Sequence, residues 1–467
     1  MKLSKQNDIG SLQRKMKLSR YNLFFSDHEG DCLIYNGLHN TLVRVDEEVK
    51  NLLKEIKLGK ECSPPKKVLK TLEKKGIIVP DKINEKKIFK VFHAQEKYNP
   101  SKIFFSITPS FKCNVDCEYC YQKSLRESKN EPITPMNGET INKTMDFIKN
   151  MAIDTDCDEI TILWYGGEPL LNTKIIIKIL DGLSLWLEES DIKLKNHIWT
   201  NGTLLTEKIL NKLLKYDIVF QLTLSGPQEI HDSKMHWGEK STFQRIIKAL
   251  KLLQSKGAKF LIRVNVDKDN FCSMEKLLED LKERVGIGLN ISFYSILPCV
   301  EPFFESYTYD KSCLSVEEKG KISKLWKLAS KKGFNVVFPP LSRCVGCIHS
   351  RAYSFVIDPL GDLYKCITEV SYEKRKRYKI GTIGNNGRLE VTDNENFYNW
   401  MNNDPLQISP CKDCPFLPVC GGLCFVVQRD YSEVSPDYSC PNKTIVYSQV
   451  KFQLSQRFPQ YFQGSKP

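Results

Sequence analysis

Three cysteines fall within eight residues of "FKCNVDCEYCYQ": Cys113, Cys117 and Cys120, spaced C-x3-C-x2-C. Thiolates are soft ligands that hold zinc or iron–sulfur clusters. A structural zinc site closes with four protein ligands, and this set stops at three. A [4Fe–4S] cluster on three cysteines keeps one iron open to a substrate or cofactor. More thiols crowd the end of the chain. Cys344 and Cys347 form a C-x2-C pair and Cys366 follows; "CKDCPFLPVCGGLC" then carries Cys411, Cys414, Cys420 and Cys424, and Cys440 is last. Eight thiolates suffice for two sites of four, although C-x2-C pairs also suit zinc ribbons. Cys32, Cys62, Cys157, Cys272, Cys299 and Cys313 are scattered and read mostly as small hydrophobes.

The rest of the composition narrows the classes. A chain of 467 residues calls for two or three domains. Its 17 cysteines cannot all pair within one chain. The start, "MKLSKQNDIGSLQRKMKLSR", has no apolar signal segment. In a reducing cytoplasm, metal or catalytic roles are then favoured over disulfides. No run of about 20 uncharged apolar residues exists, so no membrane span is expected. The formal charge of +13 comes from scattered lysines. It suits an acidic peptide or nucleic acid, or a plainly solvated Lys-rich surface. No RRM or KH pattern is legible, so nucleic acid is not the expected partner.

The elements that must position the first thiols begin at residue 102. "KIFFSIT" precedes the cysteines; "EITILWYGG", "KNHIWT", "IVFQLTLS", "KFLIRVNV" and "NISFYSIL" follow as strands, each after a helical stretch such as "STFQRIIKALKLLQSKG". This alternation predicts an α/β fold with a parallel sheet and right-handed crossovers: a partial (β/α)6 TIM-type barrel over 102–333. Function in such sheets gathers at the C-terminal strand ends. The cysteine loop ends the first strand. "YGGEP" ends the second with Gly166, Gly167 and Glu168, "WTNGT" the third with Thr200 and Asn201, "LTLSGP" the fourth with Ser225, and Leu297 the sixth. Glycines permit close backbone approach, and the carboxylate can accept from an amino group.

The flanks differ from this core. Residues 1–90 read as short strands, "NLFF", "CLIYN" and "TLVRV", then two helices, the first capped by Asp46 and the second stopped by Gly76. That order predicts a small winged-helix-like module. "DKINEKKIFKVFHAQEKYNP" is charged and reads as a linker. Residues 334–467 have few long helices and would need staples or metal to fold.

The cysteine loop, with Tyr119 before its last cysteine, and the strand-end motifs in this order resemble the radical S-adenosylmethionine (SAM) superfamily. The resemblance implies that SAM chelates the open iron of a cluster on Cys113, Cys117 and Cys120. One electron, from a donor such as flavodoxin or ferredoxin, then splits it to methionine and a 5′-deoxyadenosyl radical. The resemblance also places Tyr119, Gly166, Gly167, Glu168, Thr200, Asn201 and Ser225 around SAM, with Glu168 on the amino group and Leu297 on the adenine. There is one departure. Many relatives carry "HDxxR" after the fourth strand, with Arg on the SAM carboxylate. Here "HDSKM" puts Met235 at that place, which leaves Lys234 or Arg263 as the candidate cation. His231 in this stretch reads as structural.

The later cysteines, with Gly361 between Cys347 and Cys366, resemble the SPASM domain of radical SAM peptide maturases, which holds two auxiliary [4Fe–4S] clusters. The resemblance implies one cluster on Cys344, Cys347, Cys366 and Cys424, a second on Cys411, Cys414, Cys420 and Cys440, and three clusters in all. Cys344 lies outside the seven-cysteine spacing; without it the first auxiliary cluster keeps an open iron. Ile367 stands where sulfatase-maturing relatives carry Asp, which argues against that subclass. The N-terminal module is similar to PqqD-like leader-peptide recognition domains, which take a leader as an added strand. Together these resemblances imply a cytoplasmic enzyme that installs a thioether or carbon–carbon crosslink in a ribosomally synthesised precursor peptide. The rival readings are a radical SAM enzyme acting on RNA or another protein, and a zinc-stabilised binding scaffold.

Overall fold

The structure is a computed structural model, which describes residues 15–60, 65–127, 134–295, 312–341, 344–370, 375–426, 440 and 443–462. The N-terminal part opens with β1 (Met16–Leu18), β2 (Asn22–Ser26), β3 (Cys32–Asn36) and β4 (Thr41–Val45), followed by α1 (Glu47–Lys57), α2 (Lys66–Lys74) and β5 (Ile78–Pro80). Strands β2, β3 and β4 form an antiparallel sheet in that order, and β1 pairs with β5. Asp46 caps α1 as its position predicts, accepting from Val49 N at 2.8 Å.

The charged stretch expected to be a linker is a helix, α3 (Glu85–Lys97), whose N-cap Asn84 accepts from Lys86 N at 3.1 Å. Phe89, His93 and Lys97 fall four residues apart on one face and are buried. The buried stripe itself carries polar His93 and Lys97 while apolar Val91 and Phe92 are exposed, and so the periodicity is masked in the composition.

The central sheet is built from β6 (Lys102–Ile107), β8 (Glu159–Trp164), β9 (Lys193–Thr200), β10 (Ile218–Leu224), β12 (Lys259–Val266) and β13 (Asn290–Ser295). These six lie side by side in chain order, all parallel. A two-residue strand, β7 (Asp116–Cys117), lies in the cysteine loop and pairs with β11 (Met235–His236). The sheet does not stop at residue 333. A seventh parallel strand, β14 (Asn335–Val336), adds to β13. At the opposite edge β15 (Ser354–Ile357) runs parallel to β6, and β16 (Asp362–Tyr364), β17 (Gly381–Ile383) and β18 (Leu389–Val391) continue antiparallel. The result is one open eleven-stranded sheet, and the later cysteine-rich region is an extension of it.

Its two faces differ in chemistry. One buries Phe105, Ile162, Phe220, Leu222, Ile262 and Ile291 under helices. The other carries Trp199 level with Gln221, Thr223 level with Arg263, and Asn265 level with Tyr294. Parallel sheets ordinarily bury both faces; a polar second face marks the wall of a site. Among the described residues no helix is long and apolar enough to cross a membrane.

Candidate active site and cluster-binding residues

The cysteine loop is held from three sides at the C-terminal rim of the sheet. From β8, Gly167 N donates to Ser110 O at 3.1 Å and Glu168 N to Lys112 O at 2.9 Å. A Cβ at Gly167 would overlap the Lys112 and Phe111 carbonyls. The glycine pair thus permits a close approach, and the neighbour that approaches is the cysteine loop itself. From β9, Asn201 Nδ2 donates to Asn114 Oδ1 at 3.0 Å, and Asn114 Nδ2 to Thr203 Oγ1 at 2.9 Å. From beyond β10, Met235 lies opposite Cys117 in the β7–β11 pair, and Glu118 N donates to Lys234 O at 3.0 Å.

Glu168 is 1% exposed and ties the second strand to the third. Its carboxylate accepts from Leu170 N at 2.9 Å, Thr200 Oγ1 at 2.7 Å and Asn201 N at 2.8 Å. Burial nonetheless pushes its pKa up to about 7. A carboxylate has about four acceptor positions, so three donors leave room for one more. Ser225 is fully buried and donates Oγ to the Tyr119 hydroxyl at 2.9 Å. Its own N–H donates to His231 Nδ1 at 3.1 Å. His231 is therefore an orienting side chain held neutral, its pKa pushed down to about 4 by burial.

The two candidate cations are both engaged. Lys234 Nζ lies 3.1 Å from Asp267 and 3.0 Å from Asp269. Arg263 stacks 4.5 Å from the Tyr294 ring and 5.6 Å from Trp199, and its Nε donates to Asn265 Oδ1 at 3.0 Å. Leu297 lies outside the described residues.

The donor set fits a three-thiolate cluster. A tetrahedral zinc site, with Zn–S near 2.3 Å, would hold its sulfurs only about 3.8 Å apart. Among the described residues, the one trio of Cys, His or carboxylate donors within 4.8 Å of one another is Asp27, Glu29 and Asp31, none of them a thiol. Arg44 already bridges that trio. Thiolates that each bind a different iron stand farther apart. A hollow of about 400 Å3 opens beside Cys113, between Asn114, Asp116, Arg126, His236 and Trp237. Burial raises the Cys113 thiol to about 11, with the Glu168 charge second. Burial also raises Cys117, with the neighbouring Cys120 and Cys113 thiols adding to it. Metal must therefore displace protons on entry.

The later cysteines sort into two groups. Burial raises Cys366 well above the usual thiol range, followed by the charges of Glu369, Cys424 and Cys347. Cys411 is raised by burial and then by Cys440 and Cys414, and Cys414 and Cys420 border one apolar cluster. The two cysteine-bearing loops interlock, because a Cβ at Gly421 would overlap Gly346 N and Val345 C. Cys344 is buried among Tyr21, Leu38, Phe89, Cys411, Leu417 and Leu423, and its carbonyl lies 2.9 Å from His93 Nδ1. Its thiol is pushed up to about 11 by burial and then by Glu96, not by another thiol.

Several site residues gave no signal in the sequence. Tyr121 and Tyr165 share a hydroxyl–hydroxyl hydrogen bond, and Tyr165 meets Trp199 edge-on at 5.6 Å. Burial raises Tyr165 to about 12; Cys120 and Cys366 both act on it too, so it lies between the two cysteine groups. The aromatic alternation "WY…W" is visible in retrospect, but it equally suits a packed core.

A family model described as the radical SAM superfamily matches residues 107–281, and one for SPASM, an iron–sulfur cluster-binding domain, matches 347–415. The chain is a radical SAM/SPASM enzyme. This radical SAM/SPASM enzyme is 22% identical to the radical SAM cyclopropyl synthase TigE of Paramaledivibacter caminithermalis, over 90% of this chain and 92% of the relative. It is 22% identical to a cysteine-type anaerobic sulfatase-maturating enzyme of Clostridium perfringens, over 70% and 90%. Its fold matches anSMEcpe with bound AdoMet and Cp18Cys peptide at TM-score 0.56 and 19% identity, covering 77% of this chain and 97% of that one. It matches Streptococcus suis SuiB bound to precursor peptide SuiA at TM-score 0.51 and 17% identity, over 91% and 98%. It is thus related to peptide-modifying maturases, and its cofactors are SAM and iron–sulfur clusters in both the radical SAM and SPASM parts.

Proposed function

We propose that this enzyme matures a ribosomally synthesised precursor peptide by closing a thioether or carbon–carbon crosslink. Cys113, Cys117 and Cys120 would hold one [4Fe–4S] cluster, and the later cysteines two more. Bound there, SAM and its cluster would supply a 5′-deoxyadenosyl radical that takes a hydrogen atom from the peptide. Glu168, with its remaining acceptor position, would receive the SAM amino group. Tyr119 and Ser225, fixed through His231, would shape the pocket beside it. Trp199, Arg263 and Tyr294 would line the open face where the peptide lies. If Cys344 completes the set of Cys347, Cys366 and Cys424, that cluster would be closed and pass electrons only; without Cys344 it would keep an iron open to a substrate thiolate, which would favour the thioether.

The observation that carries a peptide substrate is the state of the N-terminal sheet edges. The edge at β2 is covered: Tyr447 OH donates to Phe24 O at 3.3 Å, and His28 N donates to Tyr461 O at 3.1 Å. Among the described residues no backbone group from outside the sheet bonds β4. An open edge on a small sheet is what an added peptide strand needs. A photo-crosslinker at Leu42 should capture the precursor encoded by a neighbouring small reading frame, and one at Phe24 should not; equal capture would remove the argument. In parallel, replacing Cys113, Cys117 and Cys120 together by Ala should abolish 5′-deoxyadenosine formation and leave iron at the later cysteines. Persistent deoxyadenosine in a reduced, anaerobic assay would refute the cluster assignment.

A further inference from the structure

The cysteine loop runs into a single helical turn, Lys123–Glu127, which brings a guanidinium back to the thiols. Arg126 Nη1 donates to Cys120 Sγ at 3.3 Å. Its side chain is only 14% exposed, and it forms part of the wall of the hollow at Cys113. Burial works against the charged guanidinium, but the charges of Cys120, Cys113 and Cys117 outweigh it, so its pKa is raised. Arg126 acts reciprocally to lower the Cys113 and Cys117 thiols. One cation thus bonds Cys120 and shares the hollow beside Cys113. Among the described residues, the carboxylate paired with Arg126 is Asp116, 3.8 Å from Nη2, 55% exposed, and shared with Lys123 at 3.2 Å. Solvent screens that pairing, whereas the contact to sulfur is sheltered.

Iron–sulfur potentials depend on net charge and on hydrogen bonds to the sulfurs. Reduction adds one negative charge to a cluster that three thiolates already make anionic. A guanidinium donating to a ligand sulfur stabilises the more negative state more strongly. Bonds of this charge-assisted kind are also among the stronger and more directional ones available. We propose that Arg126 raises the reduction potential of the cluster on Cys113, Cys117 and Cys120, acting through Cys120 as a positioning residue. This rests on the reading that those three thiols hold the SAM-binding cluster. The step is the uptake of one electron from a low-potential donor, with no bond broken and no proton moved.

The test is an anaerobic, EPR-monitored redox titration of the full chain with dithionite. It follows the part of the reduced-cluster signal that added SAM perturbs, which separates this cluster from the auxiliary ones. Arg126→Gln removes the charge, and Arg126→Met keeps the packed stem without charge or donor. Both should be at least tenfold harder to reduce, a midpoint lower by about 59 mV for one electron. Arg126→Lys should lie between them and the parent protein. Loss of iron at this site from the neutral variants but not from Arg126→Lys would make Arg126 a residue for cluster assembly and overturn the proposal as a statement about potential. Unchanged midpoints in the neutral variants overturn the proposed effect on the potential, as does loss of this cluster from all three. A parent protein with no SAM-perturbed signal refutes the underlying cluster assignment instead.

Discussion

Glu168 shows how a single buried carboxylate joins structure to function. Its three donors come from Leu170, Thr200 and Asn201, so one residue fixes two strand ends beside the cysteine loop. Its folded pKa of about 7 lies above the ordinary carboxyl value of 4.5 because of burial. The native state therefore binds the proton more tightly than the unfolded chain between those values. The stability this contributes is full below about pH 4.5 and is lost as pH rises through about 7. A shift of this size is worth on the order of 3 kcal/mol. Comparing urea unfolding of the parent and Glu168→Gln from pH 4.5 to 7.5 should show a downward slope in the parent that the variant lacks. Parallel curves would mean that Glu168 is ionised throughout. Cys344 gives a second test at this scale. Packed among the apolar side chains of Phe89 and Leu417 with Cys411 beside them, it should tolerate Cys344→Ser with iron content and cluster spectra unchanged if it is a packing residue; loss of about four irons per chain would establish it as a ligand. The position of Glu168 at a strand end beside the cysteine loop was legible because its motif follows a strand. Arg126 was not, since an arginine in "YQKSLRESKN" carries no periodicity and gains meaning only when a helical turn returns it to Cys120.

Among the elements, the strands carried their own signal. "IVFQLTLS" and "KFLIRVNV" alternate apolar residues for the helix-covered face with polar ones for the open face, and they pair in register along β10 and β12. The helix α3 did not, because its buried face holds His93 and Lys97 while Val91 and Phe92 are exposed. The loop contacts were also hidden in sequence, as backbone-to-backbone packing leaves no side-chain pattern beyond a glycine. That packing is testable at Gly167. A Cβ there would overlap the carbonyls of Phe111 and Lys112, and the rigid loop has no far end of a flexible side chain to yield. Gly167→Ala should therefore displace the loop, lowering iron at the Cys113 site while the later sites keep theirs. Iron analysis with EPR before and after SAM addition reads this directly. Full retention of the SAM-responsive signal would show that the loop can shift without losing the cluster.

At the scale of the whole molecule, the three segments that the sequence separates share their cores. The pairing of β6 with β15 joins residues about 250 apart, a contact that no local pattern announces. The N-terminal sheet is likewise built into the C-terminal region. Leu23, Phe25, Leu33 and Tyr35 pack with Phe416, Val419, Val446, Val450 and Leu454. Asp413 receives Arg20 at 3.0 Å and Lys86 at 2.8 Å, and Lys97 donates to Asn403 O at 2.7 Å. A leader bound on β4 would thus sit on a module continuous with the later cysteine loops. Removing residues 1–90 would uncover a row of large apolar side chains on the helix Lys443–Arg457. Each such side chain taken out of the core forfeits about 1.5–3 kcal/mol of burial, and uncovered patches of this kind drive association. The truncated chain should therefore aggregate or melt well below the full-length protein, as read by size-exclusion chromatography and thermal unfolding. A soluble, monomeric truncation with an unchanged melting temperature would instead show that the N-terminal part is an independent domain resting on the enzyme, and that its contacts with Asp413 and Val450 are incidental to the fold.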